Sequence, residues 1–393
     1  MSPVAPVRVV HVTTVDMSVR FLLLNQLRFL QRAGYAVSAM CARGQWVPEI
    51  QAAGIAVHPV NLTRRVVDPF RDLRALAQMT RYLRANRITL VHTHTPKAGF
   101  LGQLAARLAG VPVIVNTIHG FYFHAGTPPV MRRLWIALET IAAHFSDAIL
   151  SQNAEDLATA VREKICAPTK ITYLGNGIDL TRFDRATLDA AALVAKRQEL
   201  GLPADAPVVG MVGRLVREKG YMEFFAAARA IREQFPDCQF IVVGPIETEK
   251  ADALTPATAD AFGLRGAIHF LGWRQDMPAL YALMDVLALP SYREGFPRAP
   301  MEAAAMGTPV VATDIRGCRE VVAPGVNGAL VPPRDAEALA RALIELLRDE
   351  PKRRMMGWAG RQRAETLFDE RRVFDQVAAT YRRLLAQKGI AVE

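Results

Sequence analysis

Short, nearly continuous apolar runs recur along this chain, each followed by a longer stretch with helical spacing, and that alternation leaves few folds open. Val7-Arg-Val-Val-His-Val-Thr13 is the first run, and Tyr35–Cys41, Ile55–Val60, Ile88–His92, Pro112–Thr117 and Ala148–Ser151 follow. Such runs predict strands buried on both faces, and the helices between them predict a parallel sheet with right-handed crossovers. Asn25–Ala33 belongs to the first helix, which Gly34 ends. The pattern weakens after Tyr173-Leu-Gly-Asn-Gly-Ile-Asp179, and residues 180–206 read as a linker with an alanine-rich helix. A second series opens with Val208-Val-Gly-Met-Val-Gly213 and continues through Gln239–Val243, Ile268–Leu271, Val286–Leu289 and Val310–Ala312. The prediction is an α/β chain of two doubly wound, Rossmann-like domains facing a cleft, which suits 393 residues.

Composition narrows the function classes. With 51% hydrophobic and 22% charged residues the chain can bury substantial cores and is not a disordered protein. No window reaches the roughly 18 uninterrupted apolar residues needed to cross a bilayer. The N-terminus lacks a basic segment followed by a long apolar stretch, so no signal peptide is expected. Cys41, Cys166, Cys238 and Cys318 are widely spaced with no C-x-x-C pair. That argues against structural zinc or a disulfide framework and suits a reducing cytoplasm. The net charge of +10 would serve an anionic lipid surface or phosphorylated ligands. No nucleic-acid module accompanies it, so nucleic acid is not an expected partner.

Two stretches of the second series carry the chemistry. After the run Asp285–Pro290 comes Glu294-Gly295-Phe296-Pro297-Arg298-Ala-Pro-Met-Glu302, a turn opening into a short helix that Gly307 closes. Glu294 thus stands at a strand's carboxyl end and Glu302 inside the helix, at the edge where open α/β sheets bind ligands. Gly213-Arg214-Leu-Val-Arg-Glu-Lys219-Gly220 likewise follows a strand and precedes a helix near Tyr221. Helix amino ends favour anions, and Arg214 with Lys219 adds mobile cations, an arrangement suited to a diphosphate.

Together these segments resemble the donor-site signature of the retaining nucleotide-sugar glycosyltransferases of family four, which have the GT-B fold. The resemblance implies that Gly213, Arg214, Lys219, Glu294, Gly295, Phe296, Pro297 and Glu302 form the donor site. Glu294 would face the sugar, Glu302 would hold the ribose hydroxyls, and Arg214 and Lys219 would hold the pyrophosphate. Residues 1–180, completed by a final helix over 369–393, would form the acceptor-side domain, and 181–368 the donor-binding domain. That helix has apolar residues at Val373, Phe374, Val377, Tyr381, Leu384 and Leu385, which is helical spacing.

In the first series, Asn116-Thr-Ile-His119-Gly120 ends a strand, and the family carries a histidine beside the donor sugar there. By that resemblance His119 joins Arg214, Lys219 and Glu294 as catalytic. Phe121-Tyr-Phe123-His124 offers either an aromatic lip for sugar stacking or plain core. His92-Thr-His94-Thr-Pro-Lys97-Ala-Gly99 ends another strand. Its two histidines share a face and offer a metal two ligands, but no nearby Asp-His or His-Glu grouping completes a set. An acceptor-side role and a structural one both fit, with Lys97 placed to meet an acceptor phosphate. Ser18, His94, Lys97 and Phe121 are the acceptor-side candidates. Where many members have paired glycines in the first loop, this chain has Val15-Asp16-Met17-Ser18-Val19-Arg20. Arg64, Arg65, Arg71, Arg74, Arg81, Arg84 and Arg87 flank Phe70, Leu73, Leu76 and Leu83, which reads as a basic amphipathic helix on anionic lipid or as an ordinary solvated helix.

The expected activity is metal-independent retaining transfer of a hexose or N-acetylhexosamine, since the chain has no Asp-x-Asp. The donor would be a UDP-sugar and the acceptor a polyprenyl-diphosphate-linked or other glycan, in surface polysaccharide or glycoprotein glycan assembly. No cofactor is expected beyond the co-substrate. The expected location is cytoplasmic, on the inner face of the cytoplasmic membrane. A UDP-sugar 2-epimerase on the same fold and a non-catalytic nucleotide-sugar-binding subunit are the alternatives, and product analysis separates the three.

Overall fold

The computed structural model describes residues 6–63, 68–124, 126–246 and 252–391. The chain divides into two compact units, Met1–Gly175 with Arg371–Glu393, and Asn176–Glu370. In the first unit β1 (Arg8–Val15), β2 (Ala36–Ala42), β3 (Ala56–Pro59), β4 (Leu90–His94), β5 (Val113–Ile118), β6 (Ala148–Ser151) and β7 (Ile171–Tyr173) form one sheet. Its order is β3-β2-β1-β4-β5-β6-β7, parallel throughout. In the second unit β8 (Val208–Val212), β9 (Gln239–Val243), β10 (Ile268–Phe270), β11 (Val286–Leu289), β12 (Val310–Thr313) and β13 (Gly328–Val331) form a parallel sheet ordered β10-β9-β8-β11-β12-β13. The apolar runs therefore mark strands. The two that carry no such run, β7 and β13, are edge strands with partly solvated residues.

Alternation along each strand feeds two cores. In the first unit Val9, Leu90, Val113 and Val115 face one side, and Val10, Val12, Val91 and Ile114 the other. The helix Glu370–Gln387 lies on the first of these faces, contributing Val373, Phe374, Val377, Tyr381, Leu384 and Leu385. At roughly 1.5–3 kcal/mol per large apolar side chain, that burial is on the order of 10 kcal/mol before chain entropy. This is ample to hold a helix remote in sequence on the first sheet.

Two sequence expectations are revised. The segment after β1 is not a loop, because a helix starts at once with Asp16–Ser18, passes through a π-helical turn at Val19–Leu23 and continues as Leu24–Arg32. Buried Asp16 anchors it, accepting from Met17 N at 2.9 Å and Trp46 N at 2.8 Å. The chain's own carboxylate thus occupies this helix amino end. The basic segment forms the helix Pro69–Ala85, while Arg64 and Arg65 lie outside the described residues and Arg87 follows the helix. Its inward face is Ala75, Met79 and Leu83. Phe70 and Leu73, at 84% and 67% exposed, stand outside among Arg71 and Arg74 instead of forming the buried side.

Candidate active site

In the second sheet the strand order reverses between β8 and β11, so their carboxyl ends flank the crevice where doubly wound sheets bind ligands. Gly213 follows β8 directly and donates its N–H to Val243 O at 2.8 Å. A 3₁₀ turn at Arg217–Lys219 then leads through Gly220 into the helix Tyr221–Arg232. Gly220 has φ +81°, and a Cβ there would lie 2.0 Å from Pro290 O at the end of β11, so only glycine lets the two strand ends approach this closely. Across that approach Lys219 Nζ donates to Glu294 Oε1 at 2.6 Å, with side-chain exposures of only 19% and 12%. The two residues singled out from separate motifs, 75 positions apart, form one ion pair. Arg214 is half-buried on the same loop.

Glu294 is held from behind. Gly317, on the short helix Arg316–Arg319, packs so closely that a Cβ would lie 2.6 Å from the Glu294 carbonyl oxygen. Phe296 is buried: it is 8% exposed and packs edge-on against Phe368, with its carbonyl accepting from Asn176 Nδ2 at 3.1 Å. Pro297 is buried and precedes the helix Arg298–Ala305, while Gly295 stays half-buried at the turn. Glu302, on that helix, accepts from Tyr281 Oη at 2.9 Å through Oε2 and has Arg298 Nε 3.7 Å from Oε1. Burial and the neighbouring carboxylate push the Tyr281 hydroxyl well up, so it remains a donor to Glu302. Tyr281 and Arg298 carry no signal in the sequence of their own: one sits among core leucines, the other opens the helix after the turn.

In the first sheet the order reverses between β1 and β4. At their ends Thr14 Oγ1 lies 2.9 Å from Thr95 Oγ1, and Thr95 holds φ +63°, an uncommon conformation for a β-branched residue. His94 is 1% exposed, its Nδ1 3.0 Å from His119 Nε2. His119 is half-buried, and its Nδ1 lies 2.9 Å from Gln152 Oε1. Burial depresses the His119 imidazole to about 4 and that of His94 far below the usual range, so both are neutral at pH 7. Lys97 starts the next helix and pairs with Asp72 at 2.6 Å, also reaching Thr63 Oγ1 at 3.1 Å. Ser18 is half-buried at the end of the short helix Asp16–Ser18 that follows β1. Phe121 and Phe123 are core, each 2% exposed and stacked at 4.9 Å, so they form no aromatic lip; Tyr122 alone of the three is exposed.

The chemistry is legible from these parts. In the second unit a cation on a glycine-hinged loop faces a carboxylate on the facing strand end, with a second, tyrosine-braced carboxylate one helix further on. That set can hold an anion and a polyhydroxylated ligand together. Residues 195–363 match the family model for glycosyl transferases group 1, and residues 22–177 match that for a glycosyl transferase 4-like domain. A UDP-Gal:alpha-D-GlcNAc-diphosphoundecaprenol alpha-1,3-galactosyltransferase of Escherichia coli is 29% identical over 88% of this chain and 89% of its own length. A D-inositol 3-phosphate glycosyltransferase of Corynebacterium glutamicum is 30% identical over 79% of this chain and 77% of its own. The structure of Anabaena HepE with UDP-glucose superposes with a TM-score of 0.81, covering 95% of this chain and 99% of that one; at 23% identity this is a likeness of fold.

Proposed function

Because this chain belongs to the group 1 glycosyltransferase family, we propose that it is a retaining, metal-independent transferase that moves a hexose or N-acetylhexosamine from a UDP-sugar to a polyprenyl-diphosphate-linked glycan. The observation that carries the reading is the Lys219–Glu294 pair at the strand reversal of the second sheet. A diphosphate arriving on the Gly213–Gly220 loop is a stronger anionic partner for Lys219 than one carboxylate. It draws the lysine away and frees Glu294 to take sugar hydroxyls, so donor loading and sugar recognition are linked through one ion pair. Arg214 and Lys219 then stabilise the departing diphosphate, while Glu302, braced by Tyr281, accepts from the ribose hydroxyls. The acceptor hydroxyl attacks from the face the diphosphate leaves, its proton passing to a donor phosphate oxygen, and no protein nucleophile is needed.

In this reading Asn176–Glu370 is the donor unit, and Met1–Gly175 with the final helix the acceptor unit. No described helix is long and apolar enough to cross a membrane. A lipid-linked acceptor instead calls for a surface contact on the inner face of the cytoplasmic membrane. Phe70 and Leu73 with exposed Arg71 and Arg74 offer one, as do Val130, Met131 and Leu134 on the helix Pro129–Phe145. A donor-panel assay with a polyprenyl-diphosphate sugar present tests the whole proposal. Transfer from a UDP-sugar with the anomeric configuration kept is expected, and an epimerised nucleotide sugar or no product refutes it.

A further inference from the structure

Strand alternation puts His11, His92, His94 and Thr117 on the face of the first sheet that carries Val9, Leu90 and Val115, the face covered by the final helix. His11 and His92 are in register on β1 and β4, and His94 and Thr117 on β4 and β5. Tyr381 comes down on them from the helix. Thr117 Oγ1 is 2.7 Å from His92 Nε2, and His92 Nδ1 is 2.6 Å from Tyr381 Oη. Tyr381 Oη is 3.2 Å from His11 Nε2, and His11 Nδ1 is 3.0 Å from His94 Nε2. From His94 the path continues through His119 to Gln152. Nitrogens of His11, His92 and His94 lie within 4.8 Å of one another, the spacing of a three-imidazole metal site. Yet all eight ring nitrogens of the four histidines already have a hydrogen-bond partner in this path, and a metal would break it.

A neutral imidazole has one N–H and one lone pair, so each ring in the path must donate on one side and accept on the other. The states of all four histidines are therefore locked together: every ring carries its proton on Nδ1, or every ring on Nε2. The Gln152 carbonyl oxygen, which faces His119 Nδ1 and can only accept, selects the first. We propose that this directional chain fixes His119 as a neutral Nδ1–H donor at the strand end, with Gln152 as the residue that sets its polarity and Tyr381 as the joint that extends the lock to His92. His119 then meets substrate as a donor, its N–H passing from Gln152 to a ligand oxygen. It does not serve as a base, because its other nitrogen is tied to His94. Burial, which disfavours the charged form of all four rings, agrees with this. The inference rests on reading His119 as substrate-facing.

Nitrogen-15 NMR of the histidine-labelled full chain reads each tautomer directly and needs no turnover. In the unaltered protein all four rings should be neutral Nδ1–H forms at pH 7. Gln152→Glu, which still only accepts, should preserve this. Gln152→Lys, which only donates, should invert all four together. Tyr381→Phe removes the bonds to both His11 and His92, so in Gln152→Lys/Tyr381→Phe the inversion should stop at His11 and His92 should match its state in Tyr381→Phe alone. A mixture of tautomers in the unaltered protein, an inversion confined to His119, or a stoichiometric bound metal with ligated imidazole shifts overturns the proposal. A transferase-inactive protein with the expected spectra would instead refute the functional reading and leave the chain standing.

Discussion

Four imidazoles held neutral inside one unit should make that unit unusually sensitive to acid, and the size of the effect can be worked from the structure. The unfolded chain offers ordinary histidines with pKa about 6.5. Burial lowers His11 to about 3 and His119 to about 4, and drives His92 and His94 well below the usual value. A depressed histidine binds its proton only when unfolded, so stability is highest above pH 6.5 and falls as pH drops toward the folded values. Only the direction matters for the magnitude at pH 5. A group that stays neutral in the fold but would titrate at 6.5 loses 1.5 pH units of linkage, about 2 kcal/mol. The three fully buried rings together give about 6 kcal/mol, and half-buried His119 adds up to about 2 kcal/mol. A loss of that order approaches the whole stability of a domain, about 5–15 kcal/mol. Denaturant unfolding between pH 7.5 and 5, read by hydrogen exchange of peptides from β1, β4 and the final helix, measures it unit by unit. Stability of the first unit should drop steeply through this window while that of the second changes far less. A flat profile for β1 and β4 would show that the imidazoles are solvated or already charged, and the packing argument would fail.

The donor site yields further expectations. Lys219→Met should cut turnover by roughly 10²–10³, as expected for one cation lost from a leaving group, and should also destabilise the fold by stranding Glu294. Lys219→Met/Glu294→Gln should recover the stability but not the turnover, and full activity in either folded variant would remove Lys219 from the chemistry. Glu302→Gln should weaken binding of free UDP by roughly 1.5–3 kcal/mol, less what the amide retains. Glu294→Gln should leave UDP affinity nearly intact and lower turnover or alter sugar choice; isothermal titration with UDP and with intact donor separates the two, and equal losses of UDP binding would contradict the division of roles. Turnover should survive EDTA, and strict rescue by manganese or magnesium would overturn the cation account. Phe70→Ser/Leu73→Ser should weaken sedimentation with anionic liposomes without changing thermal stability, since both side chains are exposed; unchanged binding would place the lipid contact elsewhere.

The sequence by itself determined which segments become strands, the edge strands β7 and β13 excepted, and which residue types reach the strand ends, because burial on both faces forces continuous apolar runs and strand period two forces alternation. That pattern put Arg214, Lys219 and Glu294 in segments following such runs and Glu302 in the helix after one, while their proposed roles came from the family resemblance and not from spacing. What lies between the runs was less legible. Where many members of the family carry paired glycines, Asp16 opens a helix, and only the fold reveals that Trp46 N lies beside its carboxylate. Phe121 and Phe123 read equally as lip or as core, since an aromatic ring's direction depends on which helix covers it. Strand order was decided by tertiary structure alone. It puts β1 beside β4 and β8 beside β11, which turns residues distant in sequence into Lys219–Glu294 and His11–His94 pairs. Tyr381 shows the limit most clearly. Its helical spacing announced a buried residue, but its place as the joint among four histidines depends on a hydrogen bond spanning 289 positions, which no local pattern encodes.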